Sequence, residues 1–442
     1  MSLLIDSHAR AALSPERAAQ ICAAWASSGE FGEYVVYERG LSWVFAAGVA
    51  SRIVLTRDEI VVTDNGEQTV SRWDGDPAGA LERALDSLQD ASWRVYGWVG
   101  FDFCAPRFDL VDRIGEDTVL AHLIVPRFEA FIDAAGVDTG DADPATAVRL
   151  RVLAGRVAEP APPTEVDVTA DPDDYRDRAA QAINEIEAGR YQKVILSRRV
   201  EIPFEVDIPA TYARGRASNN PARSYLLELG DLQAAGFSPE IVVATKLDGT
   251  VVSHPLAGTR AFGRSDELDS AARAELLADP KEIAEHAISV QAAFEEIDSV
   301  SVPGSTALSE FMAVRERGSV QHLASTVRGK LAPENGPWRA LAATFPAITA
   351  SGIPKAQAVD AIYRLEPDRR GLYSGAVVAA SSHGDLEATL TLRSVFSSAG
   401  ESWLRAGAGV VAQSTPEREF EETCEKLASV APYVVARSQP VQ

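Results

Sequence analysis

The chain has 442 residues, of which 46% are hydrophobic, and it carries a formal net charge of -22 at pH 7. This length and composition predict a globular protein with a large core, organised as one big domain or as two to three ordinary ones. No cluster of Lys and Arg occurs, which argues against a nucleic-acid-binding surface, because such surfaces contact phosphates through basic side chains.

The N-terminus and the cysteines indicate the compartment. The opening MSLLIDSHARAAL lacks a cationic segment followed by an apolar run and a small-residue cleavage site, and no stretch approaches a membrane-spanning length. We therefore expect a cytoplasmic protein without a membrane partner. Cys22, Cys104 and Cys424 show no C-x-x-C spacing, so neither a disulfide framework nor a zinc cluster is predicted and all three should be reduced.

The N-terminal part, residues 1–157, is rich in predicted strands. Between residues 33 and 63, apolar and polar residues alternate between Gly-containing turns, as is typical of antiparallel strands. A further strand pair is expected in VYGWVGFDF, residues 95–103. Residues 158–174 are Pro-rich and acidic without an apolar period, and we interpret them as an exposed connector.

The remaining part, residues 175–442, begins with a predicted helix in YRDRAAQAINEIEAG. Strands are expected at YQKVILSRRVEI, SYLLEL, AAGFS, EIVVATKL, SVQHLASTVRGKL, GLYSGAVVAA, EATLTLRSVF and SWLRAGAGVV, with a long helix after Asp279 and a final helix at the end. Many neighbouring strands with short links and few crossover helices predict an α+β fold, with antiparallel β-sheets and helices packed outside.

Two glutamate pairs share the spacing i, i+3. They are Glu282 and Glu285 in DPKEIAEHAIS, and Glu419 and Glu422 in TPEREFEETCEKLASV. Each segment opens with an N-cap residue followed by proline, which predicts a helix that presents both carboxylates on one face. A single such pair is usually solvated surface. Two such faces brought together would form an oxygen-rich site for a hard divalent cation, and Mg2+ suits such a site best. A site of this kind indicates an enzyme that handles an anionic small molecule.

A glycine-rich segment near the C-terminus has two open interpretations. Residues 407–412, GAGVVA, match a loose G-x-G-x-x-A pattern, but too little chain follows for a dinucleotide-binding unit. The glycines either let the backbone approach a substrate carboxylate or form a plain turn at a strand end. No P-loop, GxSxG or HExxH motif occurs.

Six segments, taken together, resemble one known family. They are SHPLAGTRAFG (253–263), DPKEIAEHAIS (279–289), RERGSVQHLAST (315–326), FPAITASGIPK (345–355), RGLYSGAV (370–377) and AGAGVVAQSTPEREFEETCEKLA (406–428). In these segments the chain resembles the chorismate-utilising enzymes from about residue 175 to the C-terminus, and the N-terminal sheet fits less distinctly. The resemblance implies a single large α+β fold and a requirement for Mg2+.

Within that family the motifs are most similar to those of salicylate synthases. Ammonia-using relatives typically follow the acidic helix with leucine-aspartate-leucine and then Arg-Asn-Asp, whereas this chain continues ISVQAAFEEIDSV, which favours water as the nucleophile. The implied activity is Mg-dependent conversion of chorismate through isochorismate to salicylate and pyruvate, for siderophore or other salicylate-derived natural product biosynthesis. No glutaminase subunit is implied, and a monomer is expected.

The resemblance also implies residue roles. Lys193 would be the general base that activates water for attack at C2 of chorismate, and Glu240 the general acid that protonates the departing C4 hydroxyl. A free lysine has a pKa of about 10.4, so these roles require a lowered lysine pKa and a raised glutamate pKa. Mg2+ would be held by Glu282, Glu285, Glu419 and Glu422. The substrate-binding residues would be Leu256, Gly258, Thr259, His322, Thr349, Tyr373, Arg393, Gly407 and Lys426.

Some of these residues also fit simpler roles. Lys193 could be a strand lysine that extends to solvent, Lys426 could only form an intrahelical ion pair with Glu422, and His322 could only fill a sheet. Three other functions stay open as well: an isochorismate synthase that releases its product, an aminating anthranilate-type synthase, and a non-catalytic chorismate-binding protein.

Overall fold

The computed structural model describes residues 13–317 and 320–437. These ranges contain ten α-helices and 22 β-strands. The helices are α1 (Pro15–Ser27), α2 (Pro77–Asp86), α3 (Pro144–Ala154), α4 (Tyr175–Glu187), α5 (Ile208–Ser218), α6 (Asp266–Ala278), α7 (Pro280–Asp298), α8 (Pro337–Thr344), α9 (Lys355–Leu365) and α10 (Pro416–Leu427).

The strands fall into two groups along the chain. The first nine are β1 (Tyr34–Arg39), β2 (Ser42–Ala47), β3 (Ser51–Thr56), β4 (Glu59–Asp64), β5 (Glu67–Arg72), β6 (Arg94–Val99), β7 (Val119–Val125), β8 (Phe128–Asp133) and β9 (Gly136–Asp138). After the connector come β10 (Lys193–Ile202), β11 (Arg223–Leu229), β12 (Leu232–Ser238), β13 (Ile241–Thr245), β14 (Thr250–Ser253), β15 (Leu256–Ala261), β16 (Ala307–Arg317), β17 (Val320–Lys330), β18 (Gly352–Ile353), β19 (Ala376–Ser381), β20 (Leu386–Leu390), β21 (Ser394–Ser398) and β22 (Glu401–Val410).

These strands form two antiparallel sheets. The ten-stranded sheet has the order β18-β10-β22-β21-β12-β11-β1-β2-β8-β9. The twelve-stranded sheet has the order β15-β17-β14-β13-β20-β19-β6-β7-β3-β4-β5, with β16 paired to β17. All the strand pairs run antiparallel. The predicted α+β class with antiparallel sheets is therefore confirmed.

Three apolar clusters hold the layers together. One joins α1, α3 and α5 to the ten-stranded sheet, and another joins α2, α7, α8 and α9 to the twelve-stranded sheet. The third contains residues of both sheets, including Tyr37, Trp98, Tyr225 and Phe396. Apolar burial therefore packs the sheets against each other with helices on the outside.

Each sheet contains a block of strands from before the connector and a block from after it. β1 pairs with β11 in the ten-stranded sheet, and β6 pairs with β19 in the twelve-stranded sheet. Residues 158–171 form neither helix nor strand. A division of the chain into 1–157, 158–174 and 175–442 stays our proposal for its organisation.

Two strand predictions were wrong. VYGWVGFDF forms one strand, β6, because the chain turns at Gly100 into a buried 3-10 turn over Phe101–Cys104. EATLTLRSVF is not one strand but two, β20 and β21, which belong to different sheets. Arg393 lies between them with a positive φ of 52°, a conformation that ends the extended chain.

Two of the short links that carry the chain from one sheet to the other lie next to each other. One crossing links β12 to β13 through Pro239 and Glu240, and the other links β20 to β21 through residues 391–393. Hydrogen bonds join the crossings, since Leu390 N–H donates to Glu240 O (3.1 Å) and Phe237 N–H donates to Arg393 O (3.2 Å). This pair of crossings forms part of the cavity described below.

Two further expectations concern the state of the cysteines and the presence of a membrane-spanning helix. Cys22, Cys104 and Cys424 are free, and burial raises the pKa of the first two thiols. Within the described ranges, no helix combines the length and apolar character needed to cross a membrane.

Candidate active site

A cavity of about 930 Å³ opens between the sheets and helices α7 and α10. Each side chain or glycine that the sequence suggested as catalytic, substrate-binding or metal-binding lines it. These residues are Lys193, Glu240, Leu256, Gly258, Thr259, Glu282, Glu285, His322, Thr349, Tyr373, Arg393, Gly407, Glu419, Glu422 and Lys426. The fold therefore gathers residues that are up to 233 positions apart, from Lys193 to Lys426, around one space.

Both predicted helix starts are present. The Asp279 side chain caps α7 by accepting from the backbone N–H groups of Lys281 and Glu282, and the Thr415 side chain caps α10 by accepting from Arg418 N–H. Proline follows each cap residue, as expected from its fixed φ. The caps fix the first turn of each helix, and the glutamate pairs lie within the first two turns and line the cavity.

Three of the four glutamates form ion pairs with basic residues of the same cavity. Glu282 accepts from Arg260 (2.8 Å), Glu285 contacts the Lys193 ammonium, and Glu422 contacts the Lys426 ammonium (2.8 Å). Among residues 13–317 and 320–437, no three His, Cys, Asp or Glu side chains come close enough together to hold a metal ion as they stand.

Glu419 differs from the other three. It is buried, and its Oε2 atom has no hydrogen-bond partner within the described part of the chain. Burial raises its pKa, and the neighbouring Glu422 carboxylate raises it further. A cation close to both would relieve this cost, because it would stabilise the charged form. Carboxylate oxygens are also the donors that Mg2+ prefers, so the donor set fits this ion in its chemistry.

Lys193 lies at the first position of β10 and is only 8% exposed. Its ammonium contacts Glu285, so the alternative of a lysine that extends to solvent is wrong. On the neighbouring strand β22, a Cβ at Gly409 would come within 3.0 Å of Lys193 Cε. The absence of a side chain at Gly409 therefore gives the lysine the space it occupies.

Gly407 lies inside β22, so the alternative of a turn at a strand end is also wrong. A Cβ at this position would lie 2.8 Å from Leu196 O and 3.1 Å from the Tyr373 hydroxyl. Lys426 donates to the Gly407 carbonyl (2.8 Å) in addition to its intrahelical pair with Glu422. The glycine thus allows strand, tyrosine and lysine to meet at one wall of the cavity.

Glu240 is a buried residue, 6% exposed, in the link between β12 and β13. Burial raises its pKa to about 8. The Thr349 hydroxyl lies 2.9 Å from each carboxyl oxygen and opposes this rise by stabilising the anion. At neutral pH, Glu240 therefore carries a proton that it can donate.

Arg393, His322 and Thr259 form a series of polar contacts along the cavity. Arg393 Nη2 lies 3.5 Å from His322 Nε2, and Thr259 Oγ1 lies 2.9 Å from His322 Nδ1. His322 belongs to β17 and its side chain also lines the cavity, and its role in orienting the substrate stays a prediction. Gly258 has a φ of 79°, and a Cβ there would come within 3.0 Å of Glu282 Oε2.

Sequence reasoning missed a buried ionic cluster at the edge of the cavity, which one of its members, Arg405, also lines. Glu366 accepts from Arg370 Nη2 (2.6 Å), Arg405 Nη2 (2.7 Å) and the Ser197 backbone N–H (2.7 Å), and all four residues are nearly inaccessible. The cluster ties the end of α9 to β10 and β22. A signal was available, since Arg405 is an isolated charge in the otherwise apolar segment WLRAGAGVV.

Arg260 was missed as well. It donates to Glu275 (3.1 Å), Asp279 (2.6 Å) and Glu282 (2.8 Å), and so joins β15 to α6 and α7. Its position in the segment LAGTRAFG carried no signal beyond its charge.

Comparison with known proteins identifies the family. Residues 33–432 match the family model described as chorismate binding enzyme. A salicylate synthase from Mycolicibacterium paratuberculosis is 49% identical over 410 residues, which cover 92% of this chain and 90% of that protein. Anthranilate synthase component 1 from Halobacterium salinarum is 39% identical over 66% of this chain and 57% of that protein.

Solved structures agree. Anthranilate synthase component I from Streptococcus pneumoniae superposes with a TM-score of 0.73 at 26% identity, over 89% of this chain and 92% of that one. The isochorismate synthase MenF from Escherichia coli shares the fold, with a TM-score of 0.70 at 20% identity over 93% and 90%. The chain therefore belongs to the chorismate-binding enzyme family.

Proposed function

We propose that the protein is a salicylate synthase, which converts chorismate through isochorismate to salicylate and pyruvate. The observation that carries this proposal is a buried lysine and a carboxyl group, protonated at neutral pH, that line the same cavity. Exchange of one hydroxyl for another needs a base and an acid together. The extended similarity to a protein named salicylate synthase supports the choice of product.

In the first step, Lys193 removes a proton from the water molecule that attacks C2 of chorismate. Glu240 donates its proton to the C4 hydroxyl, which leaves as water. One water enters and one departs, so isochorismate has the composition of chorismate. Because Glu240 is buried and Thr349 contacts both carboxyl oxygens, the carboxyl group is held in place.

In the second step, the C2 hydrogen moves to the methylene carbon of the enolpyruvyl group while the C3–O bond breaks. Pyruvate and the aromatic ring of salicylate form together, and no protein base is needed. The protein contributes by holding the reactive conformer. Arg393 suits a substrate carboxylate because a guanidinium can donate two parallel hydrogen bonds to it, and Tyr373 and Lys426 also line the cavity.

The proposal includes a magnesium ion held by Glu282, Glu285, Glu419 and Glu422. The unpartnered Glu419 oxygen supports this assignment. When bound, Mg2+ would neutralise charge on the ring carboxylate of the substrate. We also propose that the enzyme works as a cytoplasmic monomer without a glutaminase subunit, in siderophore or other salicylate-derived biosynthesis.

The test is an assay of the purified protein with chorismate and Mg2+, in which salicylate fluorescence is followed and all products are separated. Salicylate and pyruvate in equal amounts, without ammonia or glutamine, are expected. Isochorismate as the final product would refute the second step, and an aminated product that requires ammonia would refute the first. Binding without any turnover would identify a non-catalytic chorismate-binding protein.

Two sets of variants separate the roles. Lys193→Ala should reduce conversion of chorismate by about 10²-fold or more. The same variant should still release salicylate when isochorismate is supplied. Glu285→Gln and Glu422→Gln should abolish Mg-dependent turnover and weaken Mg2+ binding measured by calorimetry. Lys246→Ala, an exposed lysine in the turn between β13 and β14, is the matched control for Lys193→Ala.

A further inference from the structure

The charge lining the cavity differs in sign from the charge of the whole protein. Within the described ranges, eight Lys and Arg residues and six Glu residues line the cavity, an excess of two positive charges. Glu240 is largely neutral at pH 7 because burial raises its pKa to about 8, so the excess at that pH is close to three. The chain as a whole carries -22. The residues that line the cavity therefore carry a small positive excess, in a protein whose total charge repels anions at long range.

Most of these basic residues already have a carboxylate partner. Arg260 contacts three carboxylates, Arg418 contacts Glu421 and Glu425, and Lys193 and Lys426 each contact a glutamate of the predicted metal site. Their charge is thus locally compensated, and an incoming anion experiences it only weakly.

Lys281 and Arg264 are different. Both are exposed, which places them at the open end of the cavity, and neither forms an ion pair within the described part of the chain. Lys281 lies in the first turn of α7, where its charge lowers the pKa of Glu419 on α10. Arg264 lies in the link between β15 and α6. We call these two residues the cationic mouth.

We propose that the cationic mouth captures the carboxylates of an anionic substrate before the substrate reaches the catalytic groups. This inference rests on the proposed function, because chorismate is a dicarboxylate. A substrate of charge -2 is repelled by the protein as a whole and attracted by uncompensated cations near the opening. The cationic mouth therefore promotes association of the substrate, whereas the residues deeper in the cavity carry out the reaction.

The test compares Lys281→Glu and Arg264→Glu with Lys246→Glu, which makes the same charge change at an exposed lysine outside the cavity lining. Chorismate binding is measured by calorimetry without Mg2+, and kcat/KM is measured with it, both at low and at high ionic strength. Reversal of one charge at about one Debye length from a dianion should weaken binding about threefold at moderate salt, and more at low salt.

We expect both mouth variants to lower affinity and kcat/KM with a much smaller effect on kcat, and to flatten the dependence on salt. Lys281→Arg should retain both parameters. Mouth variants that behave like Lys246→Glu would overturn the inference. Wild-type protein that binds chorismate in this salt-dependent way without turning it over would refute the proposed function and leave the cationic mouth standing. A wild-type protein with no affinity for chorismate would overturn both.

Discussion

Replacement of Glu240 by glutamine should stabilise the protein while abolishing the first reaction step. Burial raises the pKa of this carboxyl from its ordinary 4.5 to about 8. Between these two values the unfolded chain has released the proton and the folded protein still holds it, so the free energy of unfolding falls as pH rises from about 4.5 to about 8. A pKa difference of this size corresponds to about 5 kcal/mol at the alkaline end. Glutamine has nearly the same shape and no charge to bury, so the variant avoids this loss.

The assay is urea-induced unfolding of wild type and Glu240→Gln at several values between about pH 5 and pH 8, followed by tryptophan fluorescence. The difference between their unfolding midpoints should increase steadily with pH in favour of the variant. Glu334→Gln, at an exposed carboxyl, is the control and should give a constant difference. Parallel pH dependences for wild type and Glu240→Gln would refute the argument, because they would mean that Glu240 ionises at the same pH in the folded and unfolded states.

Three other predictions follow from contacts in the same fold. Thr349→Val should shift the decline of kcat at alkaline pH to a higher pH, because it removes a hydrogen bond that stabilises ionised Glu240. Thr349→Ser should leave this decline at the wild-type pH. An unshifted decline in the valine variant would exclude this role for Thr349. Gly407→Ala should lower the free energy of unfolding by about 1–3 kcal/mol and remove most of the turnover, because its methyl group would meet Leu196 O and the Tyr373 hydroxyl. A urea midpoint and a turnover rate equal to those of wild type would contradict this close approach. Burial lowers the pKa of His122 to about 4, so the unfolded chain takes up its proton first and stability should fall by about 3 kcal/mol as pH drops from 6.5 towards 4. In His122→Gln, the urea midpoint of unfolding should therefore decrease less than in wild type as the pH is lowered. An equal decrease in both proteins would contradict the lowered pKa of His122.

Helix starts and acid pairs could be predicted from sequence because their causes are local. An N-cap side chain, a proline and two glutamates three residues apart determine a cap and a face within two turns. The meeting of α7 and α10 at a common space was a hypothesis from the shared spacing of their glutamates, and it needed the resemblance for support because neither segment alone indicates the other.

The crossing at Arg393 could not be predicted in this way. Apolar and polar residues continue through EATLTLRSVF with a strand-like pattern, and the sheet change depends on a positive φ at an arginine, which rarely adopts it. The partners of Arg260, and the contact of Glu366 with Arg405, were also inaccessible to sequence reasoning. Arg405 and Glu366 are 39 positions apart, and their pairing exists only because β22 and the end of α9 meet in the folded protein.

The paired crossings between the sheets have a consequence for the entropy of binding. Glu240 and Arg393 sit on two short segments that are each anchored in both sheets and hydrogen-bonded across to one another. A backbone held at both ends by extended strands has little freedom left to lose. The ordering of these segments is therefore completed when the chain folds, so substrate meets an acid and an arginine whose backbones are already fixed, and more of the contact energy remains available as affinity and orientation.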